Sequence, residues 1–418
     1  MSKYKIFGGN KLNGSIKVAT SKNATLPILA GAILGEKEVI LNNLPNFTDV
    51  ENMEKILLHL GCKIIKQDNK TIINTESLNT YYIPNTLTKE IRSSIFMLGP
   101  MLAKFKKAKI SLPGGCNIGN RPIDLHLKGL RELNVKINEE HGYIDCDASN
   151  ITSGDIHLDF PSVGATENLI MASVNCKGIT RIFNSAREPE IVDLANFLNK
   201  MGAKITGAGN STIIIDGTDV NFSKTTIYQP ISDRIIGGTY LLATCIAGGD
   251  VEICNINSEH LYSLISKIKN SACILDIKDD KIHLKVNSKL PSLKIETMPY
   301  PGFPTDLQPQ LVSLLSICDG TSLVTENLFE TRFKHIPELI KMGADITVKD
   351  SLAIINGVNN LSGAEVMATD LRAGASLVLA GLNASGYTIV DGINHINRGY
   401  ENLMQELNSI NANIKLIE

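Results

Sequence analysis

The sequence predicts an α/β protein of six repeated units of about 70 residues, grouped three and three, with helices inside and sheet outside. Three observations carry this. One order of elements recurs: an apolar helix, a short strand, a loop, an amphipathic helix, then closing strands. The first helix of each unit is apolar on nearly every side, which suits burial, while the second keeps a polar face. One unit cannot cover its own apolar faces, so neighbours must stack.

In the first unit, residues 21–65, SKNATLPILAGAIL opens a helix and Val39–Leu41 is a short strand. Asp49–Leu60 follows as an amphipathic helix with Val50, Met53, Ile56, Leu57 and Leu60 on one side, and GCKII returns to strand. The order recurs at 90–137, 162–205, 232–275, 305–346 and 369–414. Asn23, Arg92, Gly164, Arg234, Asp306 and Asp370 occupy one slot, separated by 69, 72, 70, 72 and 64 residues. The helices Ser94–Ala103, Glu167–Val174 and Leu371–Leu382 are expected inside; strands such as Asn210–Asp216 and Leu352–Asn356 form the outer layer. A solenoid would stack all six units in one array. The turn-rich link 223–231 and the divergent fourth unit favour two groups of three.

With 418 residues, 43% apolar and 20% charged, the composition is globular and long enough for two or more domains. A net charge of -2 argues against a general nucleic-acid surface. Eight cysteines without a CxxC pair make core thiols the default, not a disulfide scaffold. The start, MSKYKIFGGN, lacks the apolar stretch of a signal peptide, and no run reaches the roughly 20 apolar residues of a membrane span. A cytoplasmic protein, without membrane association, is expected. No His/Cys/Asp spacing suggests a metal site, so none is expected.

The helix starts attract attention because their first backbone N–H groups have no intrahelical partner and favour anions. No GxxxxGK[ST] loop exists, and GGN at 8–10 and GAGN at 207–210 read as turns. Lys22, Arg92, Arg234, Asp306, Asp370 and Arg372 crowd these starts. Capping accounts for aspartates. Lysine and arginine there oppose the helix dipole unless an anion offsets the cost; isolated surface charge is the alternative.

One loop stands apart. In SLPGGCNIGNRP, residues 111–122, a strand Ala108–Leu112 ends at Pro113 and a helix Pro122–Glu132 begins. Cys116 rides on the glycine-rich loop between them, and Arg121 can favour its thiolate. A turn with an incidental cysteine is the plain alternative.

Taken together, the motifs SKNA (21–24), KEIRSSIFMLGP (89–100), LPGGCNIGNRPIDLH (112–126), SVGAT (162–166), NSAREPEIVDL (184–194), PGFPTDLQ (301–308), ETRF (330–333), ATDLRAG (368–374) and RGYEN (398–402) resemble the UDP-N-acetylglucosamine 1-carboxyvinyltransferases. The resemblance covers essentially the whole chain. It implies the enolpyruvyl transferase fold, a two-domain inside-out α/β barrel, with domains 22–229 and 1–21 plus 230–418 and the active site in the cleft between them. It implies transfer of the enolpyruvyl group of phosphoenolpyruvate to the 3′-hydroxyl of UDP-N-acetylglucosamine by addition and elimination, with no cofactor.

By the same resemblance, Cys116 is the general acid, can form a covalent adduct with phosphoenolpyruvate, and is alkylated by fosfomycin. Asp306 is the base at the acceptor hydroxyl, with a helix cap as its competing role. Lys22, Asn23, Arg121, Arg372 and Arg398 bind phosphoenolpyruvate, Lys22 and Arg398 also serving catalysis. Arg92, Arg121, Pro122, Ile123, Asp124, Leu125, Ser162, Val163, Gly164, Asp306 and Leu328 bind the nucleotide-sugar. Asp370 orients charge or protons. Glu188 and Glu190 match acidic positions that pair with Arg187 or cleft arginines. His126 and His395 sit in matching motifs without an assigned role. Thr48 stands where some relatives carry a lysine. The sequence leaves the oligomeric state open, a monomer included. The sister transferase acting on shikimate 3-phosphate shares the fold but lacks the cysteine loop. A non-catalytic ring-shaped clamp would explain the repeats but not that loop.

Overall fold

Strand pairing, more than helix placement, shows how the repeats are joined. The computed structural model describes residues 2–112, 123–269 and 272–418. Among them lie six four-stranded sheets. In the second repeat, Tyr82–Ile83 runs parallel to Lys107–Ser111, Tyr143–Asp147 pairs antiparallel with the latter, and Lys136–Glu140 forms the far edge. The third and fifth repeats follow the same plan around Ile179–Phe183 and Thr321–Thr325.

The first and fourth repeats exchange leading strands. Leu12–Lys17 precedes the first inner helix, yet it runs parallel to Gly249–Cys254 in the sheet of the fourth repeat. Thr226–Tyr228 precedes the fourth inner helix, yet it runs parallel to Val39–Asn42 in the sheet of the first. The sixth sheet takes a strand from the start of the chain: Lys3–Phe7 lies antiparallel between Tyr387–Asp391 and Ile414–Ile417. Two compact units result, one of residues 2–19 and 232–418, the other of 20–112 and 123–231. Each contains three of the sheets.

The inner helices are Lys22–Gly31, Leu98–Phe105 and Val163–Ser173 in one unit, and Arg234–Ala247, Gln308–Leu315 and Leu371–Asn383 in the other. Every residue from Leu371 to Leu382 is buried, as the unbroken apolar run predicts. Each of its large aliphatic side chains contributes about 1.5–3 kcal/mol of burial. Contact between inner helices needs small residues: a Cβ on Gly99 would stand 2.3 Å from the Asn168 carbonyl oxygen.

Several expected bounds shift for local reasons. The helix expected over Ser94–Ala103 is a 3₁₀ turn, Arg92–Met97, followed by the α-helix Leu98–Phe105. Pro100 sits in the first turn of that helix, where its missing N–H costs no bond. The helix expected from Pro122 spans Asp124–Glu132, and Pro122 lies outside the described residues. The amphipathic helix spans Thr48–His59. Pro189–Met201, expected outside, buries Glu190, Ile191, Asp193, Leu194, Phe197 and Leu198, because it packs along Lys22–Gly31. No helix among the described residues is long and apolar enough to cross a membrane.

Candidate active site

In the unit of residues 20–231, the candidate residues gather at helix starts. Ser21 caps the helix Lys22–Gly31, its hydroxyl accepting from Ala24 N at 3.3 Å. Lys22 and Asn23 are therefore its first two residues, both half-buried. Lys22 Nζ lies 3.2 Å from Asp49 Oδ2 in a largely buried pair. Lysine at a helix start is thus balanced inside the protein by a carboxylate, so it is no isolated surface charge. Asp49 follows Thr48, the position that departs from some relatives.

The two segments expected to hold the nucleotide-sugar meet. Ile123 and Leu125 are half-buried and Asp124 exposed at the start of Asp124–Glu132. Ser162, Val163 and Gly164 open the helix Val163–Ser173, with the Ser162 hydroxyl accepting from Ala165 N at 3.3 Å. His126 joins them. A Cβ on Gly164 would lie 3.2 Å from the His126 ring. Asn168 fixes that ring: its Oδ1 accepts from Gly99 N at 2.7 Å, so its Nδ2 donates to Ile95 O and to His126 Nδ1, both at 2.8 Å. Burial, then the charge of Arg92, pushes His126 down to about 3. The imidazole is neutral, with Nδ1 accepting from Asn168 and its proton on Nε2, so it brings no positive charge to this segment.

Glu188 and Glu190 lie close to a third acidic residue. Arg187 is exposed, whereas Glu188 and Glu190 are buried and act electrostatically on Glu167. Burial first, then these two neighbours, raises the Glu167 carboxyl well above the usual range. Among the described residues, neither Glu167 oxygen has a hydrogen-bond partner.

In the other unit, Asp306 lies in the 3₁₀ turn Thr305–Leu307 and makes no capping bond there. Its Oδ1 is 2.8 Å from Arg332 Nη2 and its Oδ2 is 2.9 Å from Arg372 Nη2. The cap belongs instead to Asp370, whose Oδ1 accepts from Arg372 N and Ala373 N at 2.9 and 3.1 Å. Burial pulls the Arg372 pKa down, but Asp306, Tyr400 and Asp233 together outweigh it and the net direction is up. Arg332 is buried, and its Nε and Nη2 also donate to Thr305 O at 3.2 and 3.1 Å. Arg398 is half-buried and His395 exposed.

Leu328 is tied to the Asp306 turn by a residue the sequence did not single out. Glu326 Oε1 accepts from Leu328 N, Phe329 N and Thr297 Oγ1 at 2.9, 3.1 and 2.9 Å. Its Oε2 accepts from Thr305 Oγ1 at 3.0 Å. Asp49, Arg332 and Glu326 were all missed. Only Arg332 had a signal, its place in ETRF. Cys116, Arg121 and Pro122 lie outside the described residues. Among those residues, no group of three or more His, Cys, Asp or Glu could hold a metal ion.

Comparison with known proteins fits this arrangement. Residues 6–407 match the family described as EPSP synthase (3-phosphoshikimate 1-carboxyvinyltransferase). The chain is 50% identical over 415 residues to UDP-N-acetylglucosamine 1-carboxyvinyltransferase 2 of Caldanaerobacter subterraneus subsp. tengcongensis, covering 99% of each. It is 46% identical to UDP-N-acetylglucosamine 1-carboxyvinyltransferase 1 of Carboxydothermus hydrogenoformans, covering 100% of this chain and 99% of the relative. The fold matches the enolpyruvyl transferase NikO from Streptomyces tendae with a TM-score of 0.88 at 22% identity, covering 100% of this chain and 99% of that one. It matches EPSP synthase from Acinetobacter baumannii at 0.80 and 18%, covering 100% of both. Such low identities speak for the two-domain α/β fold alone. The family match over residues 6–407 and the sequence relatives show that this chain belongs to the EPSP synthase family, in its branch of UDP-N-acetylglucosamine enolpyruvyl transferases.

Proposed function

We propose that the chain moves the enolpyruvyl group of phosphoenolpyruvate to the 3′-hydroxyl of UDP-N-acetylglucosamine and releases phosphate, the first committed step of peptidoglycan precursor synthesis. The observation that carries this is the full-length identity to transferases named for that acceptor. The reading requires both units to act on one substrate pair.

Addition needs a proton at the methylene carbon, attack by the sugar oxygen on C2, and removal of the hydroxyl proton. Cys116 gives the first proton and Asp306 takes the second. A carboxylate oxygen has more than one lone pair, so an arginine on each oxygen does not by itself bar Asp306 from accepting the hydroxyl proton. Elimination then removes a proton from the methyl group so formed and expels phosphate. The sequence is redox-neutral and balances without a cofactor. Lys22, Asn23, Arg121, Arg372 and Arg398 hold the donor's phosphate and carboxylate. Lys22 exchanges Asp49 for the incoming anion. Arg92, Arg121, Pro122, Ile123–Leu125, Ser162–Gly164, Asp306 and Leu328 hold the acceptor. Fosfomycin alkylates Cys116. A cytoplasmic reaction is part of this reading.

A coupled assay tests the reading. Phosphate is expected only with phosphoenolpyruvate and UDP-N-acetylglucosamine together. Equal release with shikimate 3-phosphate as acceptor would overturn it.

A further inference from the structure

The motif RGYEN contributes Arg398 to the proposed site, yet its tyrosine has no part in the chemistry above. Tyr400 is buried to 1% exposure. Its hydroxyl lies 2.8 Å from Thr239 Oγ1, and Gln310 Nε2 is 3.2 Å from Thr239 Oγ1 and 3.4 Å from Tyr400 Oη. Thr239 donates its own proton to Ile235 O at 2.8 Å. The Tyr400 hydroxyl must therefore donate to Thr239, while Gln310 donates to both oxygens. Every proton in this triangle has one direction, and the triangle joins two inner helices, Arg234–Ala247 and Gln308–Leu315. The tyrosine ring is held at its far end.

Its face is turned to the third inner helix. The Arg372 guanidinium lies 5.9 Å from the ring centroid, within range of attraction to the negative face of the ring. The same guanidinium reaches Asp306 Oδ2 at 2.9 Å. A long arginine side chain at the second residue of a helix has many rotamers, and a fixed aromatic plane beside the guanidinium excludes those that would cross the ring.

We infer that Tyr400 is a positioning residue, whose hydrogen-bonded ring holds the Arg372 guanidinium against Asp306 and so sets the direction of the carboxylate that faces the acceptor. The inference rests on the function proposed above. It makes the ring, not the hydroxyl, the part that matters most. Tyr400→Phe keeps the face and loses the tether; Tyr400→Leu loses the face.

The test has a structural arm and a kinetic arm. Crystal structures of the two variants read the Arg372–Asp306 separation. It is expected to stay within hydrogen-bond range in Tyr400→Phe and to open in Tyr400→Leu. An intact pair in Tyr400→Leu would overturn the inference. In kinetics, Tyr400→Leu is expected to lower kcat/KM for phosphoenolpyruvate about 10- to 100-fold. In an Arg372→Ala background the same change should cost less than about twofold, since its target is gone. Equal losses in both backgrounds would also overturn it, because a purely structural tyrosine gives additive effects. Tyr400→Met carries the same test if Tyr400→Leu does not fold. An inactive parent enzyme would refute the proposed function, and the structural arm would still decide the role of Tyr400.

Discussion

Glu167 is the residue whose chemistry is least visible in the sequence. It falls in an apolar helix and reads there as one charge on an inner face, yet it is fully buried with its carboxyl raised well above the usual range. The unfolded chain gives up this proton near its ordinary value of 4.5, while the folded chain keeps it. Stability therefore falls as pH rises between the ordinary and the raised value, by up to about 1.4 kcal/mol per pH unit. Glu167→Gln is expected to remove this loss, so the variant gains stability over the parent as pH rises. Denaturant unfolding at several pH values measures the difference; a constant difference would show that Glu167 is ionised when folded.

Cysteines show the same effect of surroundings. Burial pushes Cys62, Cys146 and Cys318 up to about 12, and Cys176 to about 11. These four remain thiols at neutral pH and should resist alkylation in the folded protein. Cys273 differs: it is half-exposed, and a hydrogen bond from Cys245 lowers it. Peptide mapping after brief fosfomycin treatment is expected to find Cys116 modified alone, whereas a general haloacetamide should reach Cys273 next. Early labelling of the four buried thiols would contradict the packing described.

At the scale of elements, the helix starts were legible because their polar residues interrupt apolar runs at a regular period. What those residues touch was not legible. Asp49 reaches Lys22 across 27 residues and Arg372 reaches Asp306 across 66, and such partners leave no periodic trace. Asp306 and Asp370 look alike as candidate caps, and only the bonds distinguish them: Asp370 accepts from two backbone N–H groups, Asp306 from two guanidinium groups. Glu326 was invisible for a further reason, since its four donors come from three separate segments. Glu326→Gln puts an amide where all partners are donors, which leaves bonds broken at the Leu328 loop or the Thr305 turn. The variant is expected to raise the KM for UDP-N-acetylglucosamine about 10-fold or more, with the donor KM within about twofold. Steady-state kinetics with each substrate varied would show it; a matching rise in both constants would mean a general loss of structure.

For the whole molecule, six repeats and their division three and three could be read from the sequence. The exchange of strands could not, because Leu12–Lys17 and Thr226–Tyr228 each resemble an ordinary lead-in to the helix that follows. This exchange bears on the order in which a ribosome delivers the pieces. The segment 20–231 has all three of its sheets once residue 231 has emerged. Residues 3–7 and 12–17 emerge before that segment, yet their partners lie at 249–254, 387–391 and 414–417. At about 5–20 residues per second, Lys3–Phe7 waits on the order of ten seconds or more after the middle of the chain can close, and Leu12–Lys17 only about 1–5 seconds. Translation-arrested chains ending near residue 270 are therefore expected to protect 20–231 from protease while the first 19 residues are still cleaved. Lys3–Phe7 is thus made well before the residues that bury it, and both of its edges are in search of partners until residues 387–417 have followed.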